Sequence, residues 1–157
     1  MEKLSSNKSL FFDICSFQII CYCINMSKIM MVVAPHDYRD EELDVPREAF
    51  TTAGHEVVVV SSGVEKATGS LGGSTAVDMD ISKARIGDCC AVVFVGGKGA
   101  TGYFHDPHAM GLAKAAFDQG KVVGAICIAP SILVNAGVVA EKTVTAFPSE
   151  EGNIKAK

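Results

Sequence analysis

The sequence lacks several features that would place it in a specialised class. It has no excess of positive charge: 14 Lys and Arg stand against 18 Asp and Glu, a net charge of −4. No basic stripe breaks that balance, which argues against a nucleic-acid partner. It lacks an apolar run suited to spanning a membrane. The best stretch, Leu10 to Ile24, is short and holds Asp13, Ser16 and Gln18, so no stable membrane association is expected. It also lacks evenly spaced cysteines. Of the six, Cys15, Cys21 and Cys23 crowd the N-terminus, Cys89 and Cys90 are adjacent, and Cys127 stands alone. That is no disulfide framework, and it points to a reducing compartment, the cytoplasm. No internal repeat is visible.

What the chain does have is the composition of one packed domain: 157 residues, 48% of them apolar and 20% charged. Residues 26–157 are expected to form it. Residues 1–25 read as an accessory extension, with Lys3 and Lys8 ahead of the apolar stretch but no small-residue cleavage site behind it.

Short, uniformly apolar runs alternate with helical patterns. Ile29–Ala34, Glu56–Ser61, Cys90–Val95 and Val122–Ile126 read as buried strands. Helices are expected over Asp40–Ala53, from Asp106-Pro107 to about Gln119, and over Pro130–Asn135. Ala67–Asp80 reads as a loop or small hairpin, Ile81–Ile86 as a short helix, Thr143–Phe147 as a strand, and Ser149–Lys155 as a polar helical turn. Buried strands alternating with amphipathic helices mean a mostly parallel sheet covered on both faces, a doubly wound α/β sandwich. Ligand sites in such sheets lie at the carboxyl ends of the strands. Here those ends are Pro35–Glu42, the loop after Ser61, Gly96–His105 and Cys127–Pro130.

Cys127 sits where an apolar strand turns directly into a helix, so its side chain projects from the sheet edge. The helix N-terminus favours thiolate there, and the Ile128 N–H can face an oxyanion. The alternative is an inert buried cysteine at a strand end. Gly96-Gly97 closes the neighbouring strand and lets backbone approach, with the Gly97 N–H as a second oxyanion donor. Gly97 also begins a literal GxGxxG pattern, but residues 103–107 intervene before the helix, unlike a dinucleotide site. Glu42 belongs to an acidic run that can be simply a solvated face. Pro46, however, removes the hydrogen bond to the Glu42 carbonyl, and like charges raise the Glu42 pKa. A protonated Glu42 can donate to a cysteine thiolate. His36 and His105 follow strands on the same edge as Cys127, and either is a possible base. His105 and His108 lack a third ligand, so no metal is expected, and no cofactor either.

From about Lys28 onward, these residues resemble the ThiJ/PfpI family, within the class I glutamine-amidotransferase-like superfamily. The resemblance rests on IMMVVAP, on Glu42-Leu43-Asp44-Val45-Pro46, on VVFVGGKGA with Asp106-Pro107, and on AICIAPSILVNAGVVAEKTVTAFPSE. It implies a flavodoxin-like three-layer sandwich and a nucleophile-elbow cysteine at Cys127. It also implies the family glutamate at Glu42 and an oxyanion hole at Gly97 and Ile128. The usual histidine positions are occupied by Ile128 and Phe147. The chain ends at Lys157, where the family continues, so the family's C-terminal closing elements are expected to be missing. Together these features imply a cysteine-dependent enzyme acting on reactive carbonyls or their adducts, glyoxalase- or deglycase-like. The alternatives are a cysteine peptidase or amidase, and a redox-sensing or chaperone-like stress protein without turnover. The expected partners are a small carbonyl or peptide substrate and further copies of the chain in a homo-oligomer.

Overall fold

A computed structural model of the chain describes residues 27–156. The proposed extension over residues 1–25, with Cys15, Cys21 and Cys23, lies outside the described residues.

The apolar runs form parallel strands because their side chains are buried on both faces of one sheet. The strands are β1 (Lys28–Val32), β2 (Glu56–Ser61), β5 (Met79–Asp80), β6 (Cys89–Phe94) and β7 (Val122–Ala125), in the spatial order β5-β2-β1-β6-β7. A separate antiparallel hairpin, β3 (Lys66–Thr68) and β4 (Ser74–Ala76), lies between β2 and β5 in sequence. The helices are α1 (Asp40–Thr52), α2 (Pro107–Asp118), α3 (Pro130–Asn135) and α4 (Glu151–Lys155), with short 3-10 turns at Lys98–Tyr103 and Pro148–Glu150.

The two-residue alternation of each strand divides the core. Met30, Val32, Val92 and Phe94 face the side holding Leu112, Ala113, Ala116 and Ile132 of α2 and α3. Ile29, Met31, Val59 and Val93 face the side holding Leu43 and Phe50 of α1 and Ala67 of the hairpin. The result is the expected doubly wound α/β/α sandwich. Asp106 caps α2 by accepting from the N–H groups of His108 (2.9 Å) and Ala109 (2.8 Å), as the Asp-Pro start implies. β7 is an edge strand, and Val122 at its start is 41% exposed.

Two expected elements do not form. Ile81–Ile86 is a turn rather than a helix. The Asp80 carboxylate accepts from Ser82 N (2.9 Å) and Oγ (2.5 Å), and from Gly63 N (2.8 Å). Arg85 takes the carbonyls of Ser82 and Ala84. Side-chain bonds thus replace the helical ladder. Thr143–Phe147 is irregular rather than a strand, because no strand among the described residues pairs with it. The loop after β4 holds a further surprise: β5 is too short to leave a periodic signal, yet it extends the main sheet beside β2.

The hairpin is pinned to the start of α1. Asp40, only 8% exposed, accepts from Leu71 N and Gly73 N, both at 2.8 Å. These N–H groups hold its carboxyl below the usual carboxylate range. A depressed folded pKa contributes stability that is present above the unfolded value and lost as pH falls through the folded one. Asp40→Asn should therefore lower Tm by several degrees at pH 7, and the gap from wild type should shrink as thermal melts are taken down toward pH 3.

Candidate active site

Three strand ends meet at one edge of the sheet, and the loops after β1, β6 and β7 leave it side by side. Cys127 follows β7 in a left-handed conformation, φ +62°, which is costly for a residue with a Cβ. That turn aims the side chain off the sheet toward the other two loops. The cysteine is half-buried and free of disulfide bonding.

Close backbone approach makes room for it. Gly96 and Gly97 follow β6. A Cβ on Gly96 would lie 2.5 Å from Glu42 Oε2 and 2.7 Å from both Cys127 Cβ and Ile126 O. Gly97 has φ +93°, and its Cβ would lie 2.4 Å from Arg39 N. Gly99 is equally confined, with a Cβ 1.8 Å from His36 O. The glycine pattern therefore serves to seat the β6 loop against the β1 loop, and what opens at it is the short 3-10 turn Lys98–Tyr103 rather than α2. Arg39 N donates to Gly96 O (3.1 Å), tying the two loops together.

Glu42 lies in the first turn of α1, which runs unbroken through Pro46. Its carboxylate accepts from Gly96 N at 3.0 Å and from the Cys127 thiol. Burial pushes the Glu42 carboxyl up, against the pull of those two donors. Burial, and next the Glu42 charge, push the Cys127 thiol up. The N–H groups of Gly97 and Ile128 are directed at Sγ and pull the other way. The expectation that the helix N-terminus favours thiolate is thus corrected for the resting site. α3 has only six residues, and burial and the facing carboxylate outweigh its N–H groups. The two acids thus stand side by side, both raised first of all by burial.

Cys127, Glu42, Gly97 and Ile128 are therefore together. His36 and His105 are not joined to them by any hydrogen bond among the described residues. Both are exposed, and His36 Nδ1 instead meets Thr68 Oγ1 at 3.1 Å. No group of three His, Cys, Asp or Glu among the described residues is placed to hold a metal. Two contributors escaped the sequence reading: the Gly96 N–H as the anchor of Glu42, and Phe147, whose N–H donates to Cys127 O at 2.8 Å. A backbone donor carries no residue signature. The apolar side chain of Phe147 points attention to the missing imidazole instead.

A family model, the DJ-1/PfpI family, matches residues 27–157. The chain belongs to the DJ-1/PfpI family. An uncharacterized protein of Methanocaldococcus jannaschii is 37% identical over 126 residues, covering 80% of this chain and 62% of that one. The present chain thus spans less than two thirds of that relative. A protein of Pyrococcus horikoshii named a deglycase is 31% identical over 121 residues, 77% of this chain and 72% of its own. Among solved structures, a ThiJ/PfpI domain protein from Brachyspira murdochii superposes with a TM-score of 0.81 at 32% identity, covering 84% of this chain and 77% of that one.

The tight seat of Gly96 gives a direct check. Gly96→Ala should destabilise by about 1–3 kcal/mol, the range for overpacking. Gly102→Ala, where nothing lies within 4 Å of the new methyl, should stay within about 0.5 kcal/mol. Urea unfolding of the two variants beside wild type would measure both.

Proposed function

We propose that this chain is a cysteine-dependent enzyme acting on reactive carbonyls or their adducts, of the glyoxalase or deglycase type. One observation carries it: a left-handed Cys127 whose sulfur meets the Glu42 carboxyl, raised by burial, and two backbone N–H groups. The deglycase names of relatives about 30% identical support the same direction.

The chemistry follows from the positions. A proton resides on Glu42 when Cys127 reacts as thiolate. Sulfur attacks the aldehyde carbon of an α-oxoaldehyde, a C–S bond forms, and the carbonyl π pair moves to oxygen. The Gly97 and Ile128 N–H groups stabilise that oxyanion. Glu42 then delivers its proton to it, giving a hemithioacetal. As a carboxylate, Glu42 next takes the C–H proton, whose electron pair forms an enediol, and returns it to the neighbouring carbon, while the hemithioacetal hydroxyl proton passes to the neighbouring oxygen; the product is the thioester of a 2-hydroxy acid. Water cleaves the thioester to a 2-hydroxy acid and regenerates the thiol. No redox partner is consumed.

The peptidase alternative gains no support, since acyl transfer to water draws on a base beside the nucleophile and neither candidate imidazole bonds to Cys127. The redox alternative has one specific observation in its favour. A half-buried thiol hydrogen-bonded to a carboxyl with a raised pKa is suited to hold a sulfinic acid. A cytoplasmic location and a homo-oligomer belong to this proposal. Among the described residues, no helix is long and apolar enough to cross a membrane.

Methylglyoxal turnover should fall to background in Cys127→Ser. Glu42→Gln separates charge from proton transfer. It removes the negative charge that raises the thiol pKa, so the midpoint of Cys127 alkylation should move to lower pH. Carbonyl turnover should nevertheless drop about 100-fold or more, because the amide cannot move a proton. Unchanged turnover in either variant would refute the assignment.

A further inference from the structure

The elbow is not self-supporting. α3 spans only Pro130–Asn135 and has no side-chain N-cap, so it cannot by itself fix the residues before it. Ile126 N donates to Phe94 O (3.1 Å) and Ala129 N to Ile126 O (3.0 Å), and beyond these a closed circuit of hydrogen bonds runs through the segment that follows α3. Phe147 N donates to Cys127 O (2.8 Å), and Glu150 N donates to Phe147 O (2.9 Å). The Glu150 carboxylate accepts from Ser131 Oγ at 2.6 Å. Ser131 N donates to Ile128 O at 3.1 Å, which returns the circuit to the elbow. Ser149 Oγ occupies the second Glu150 oxygen at 2.7 Å.

Ser131 is fully buried and Glu150 is 9% exposed. A buried carboxylate is costly unless its acceptor sites are filled, and here the hydroxyls of Ser131 and Ser149 fill them. That is a demanding arrangement in a segment whose hydrogen bond to the Cys127 loop is made by a backbone N–H, that of Phe147. The side-chain hydrogen bonds of Glu150 go to Ser131 and Ser149, and the bonds that continue from there to the elbow are made by backbone groups of Phe147 and Ser131.

We propose that Glu150 is a positioning residue for the elbow. Through Ser131 on one side and Phe147 on the other, its buried carboxylate holds Cys127 in the left-handed conformation and keeps the Ile128 N–H aimed at sulfur. This rests on the function proposed above only in taking Cys127 as the reacting atom. No step in the circuit is a proton transfer. Glu150 acts as a hydrogen-bond acceptor.

Cys127 alkylation by iodoacetamide, followed by peptide mass mapping across a pH series on the full chain, tests it without reference to any substrate. Loss of the circuit lets the N–H donors drift from Sγ, so the thiolate is less favoured. Ser131→Ala and Glu150→Ala should each move the Cys127 midpoint to higher pH and slow its alkylation about threefold or more near neutral pH, the effect of a half-unit rise. Glu150→Gln keeps an acceptor for Ser131 and should restore the wild-type profile. A lowered Tm with an unmoved Cys127 profile would make Glu150 merely structural and overturn the proposal. A Gln variant as impaired as the Ala variant would overturn it too, since charge rather than acceptance would then matter. Should Glu150→Ala fail to fold, Ser131→Ala carries the same test from the other partner. Failure of methylglyoxal turnover alone would leave these profiles untouched, so the two proposals fail separately.

Discussion

Residue 127 lies in the short turn between the end of β7 at Ala125 and the start of α3 at Pro130, and it stands there at a positive φ. A non-glycine residue in that region costs on the order of 1–3 kcal/mol and persists only where its surroundings over-determine it. Much of the nearby sequence can be understood as that over-determination. Gly96 has no Cβ because Cys127 Cβ, Ile126 O and Glu42 Oε2 occupy the space. Gly97 and Gly99 let the β6 loop settle on the β1 loop. Phe147 closes the Cys127 carbonyl from the far side. The sheet supplies the rest, since parallel register brings the ends of β1, β6 and β7 to one level.

The electrostatics of the site follow from how little water reaches it. Two acids side by side in a half-buried place cannot both ionise cheaply. Burial raises both, and the Glu42 charge raises the thiol further, while the thiol as a donor pulls the carboxyl back down. Backbone N–H groups then decide where negative charge is tolerated. Gly96 serves the carboxylate, while Gly97 and Ile128 serve the sulfur. This division gives each of the two acids its own backbone donors, as the proposed carbonyl chemistry would require.

The sandwich was legible because buried parallel strands leave runs such as IMMVVA and CCAVVF that few other elements produce. Cys127 and Glu42 were legible because each sits beside a strong local signal, a strand–helix junction for one and a helix proline for the other. The missed features share a different cause. The Asp40 clamp on the hairpin turn looked like one more acid in a solvated run, since its partners are the N–H groups of Leu71 and Gly73. Ser131 and Glu150 are distant in sequence and each is ordinary in its own segment. Ile81–Ile86 kept a helical spacing of apolar residues that Asp80 and Arg85 override with side-chain bonds. The direction of the thiol pKa was misjudged because a helix terminus is visible in a sequence, whereas burial and a facing carboxylate are not.

β7 has four residues and, among the described residues, bonds to a neighbouring strand on one side only. The most strained residue of the site is therefore mounted on one of the sheet's outermost strands, not on its central one. Amide exchange in such a strand proceeds through local opening well below the free energy of global unfolding. Each opening lets residue 127 relax out of its left-handed state and exposes its sulfur from a new direction. Local opening of β7 is thus a route by which that geometry can be lost while the rest of the domain stays folded.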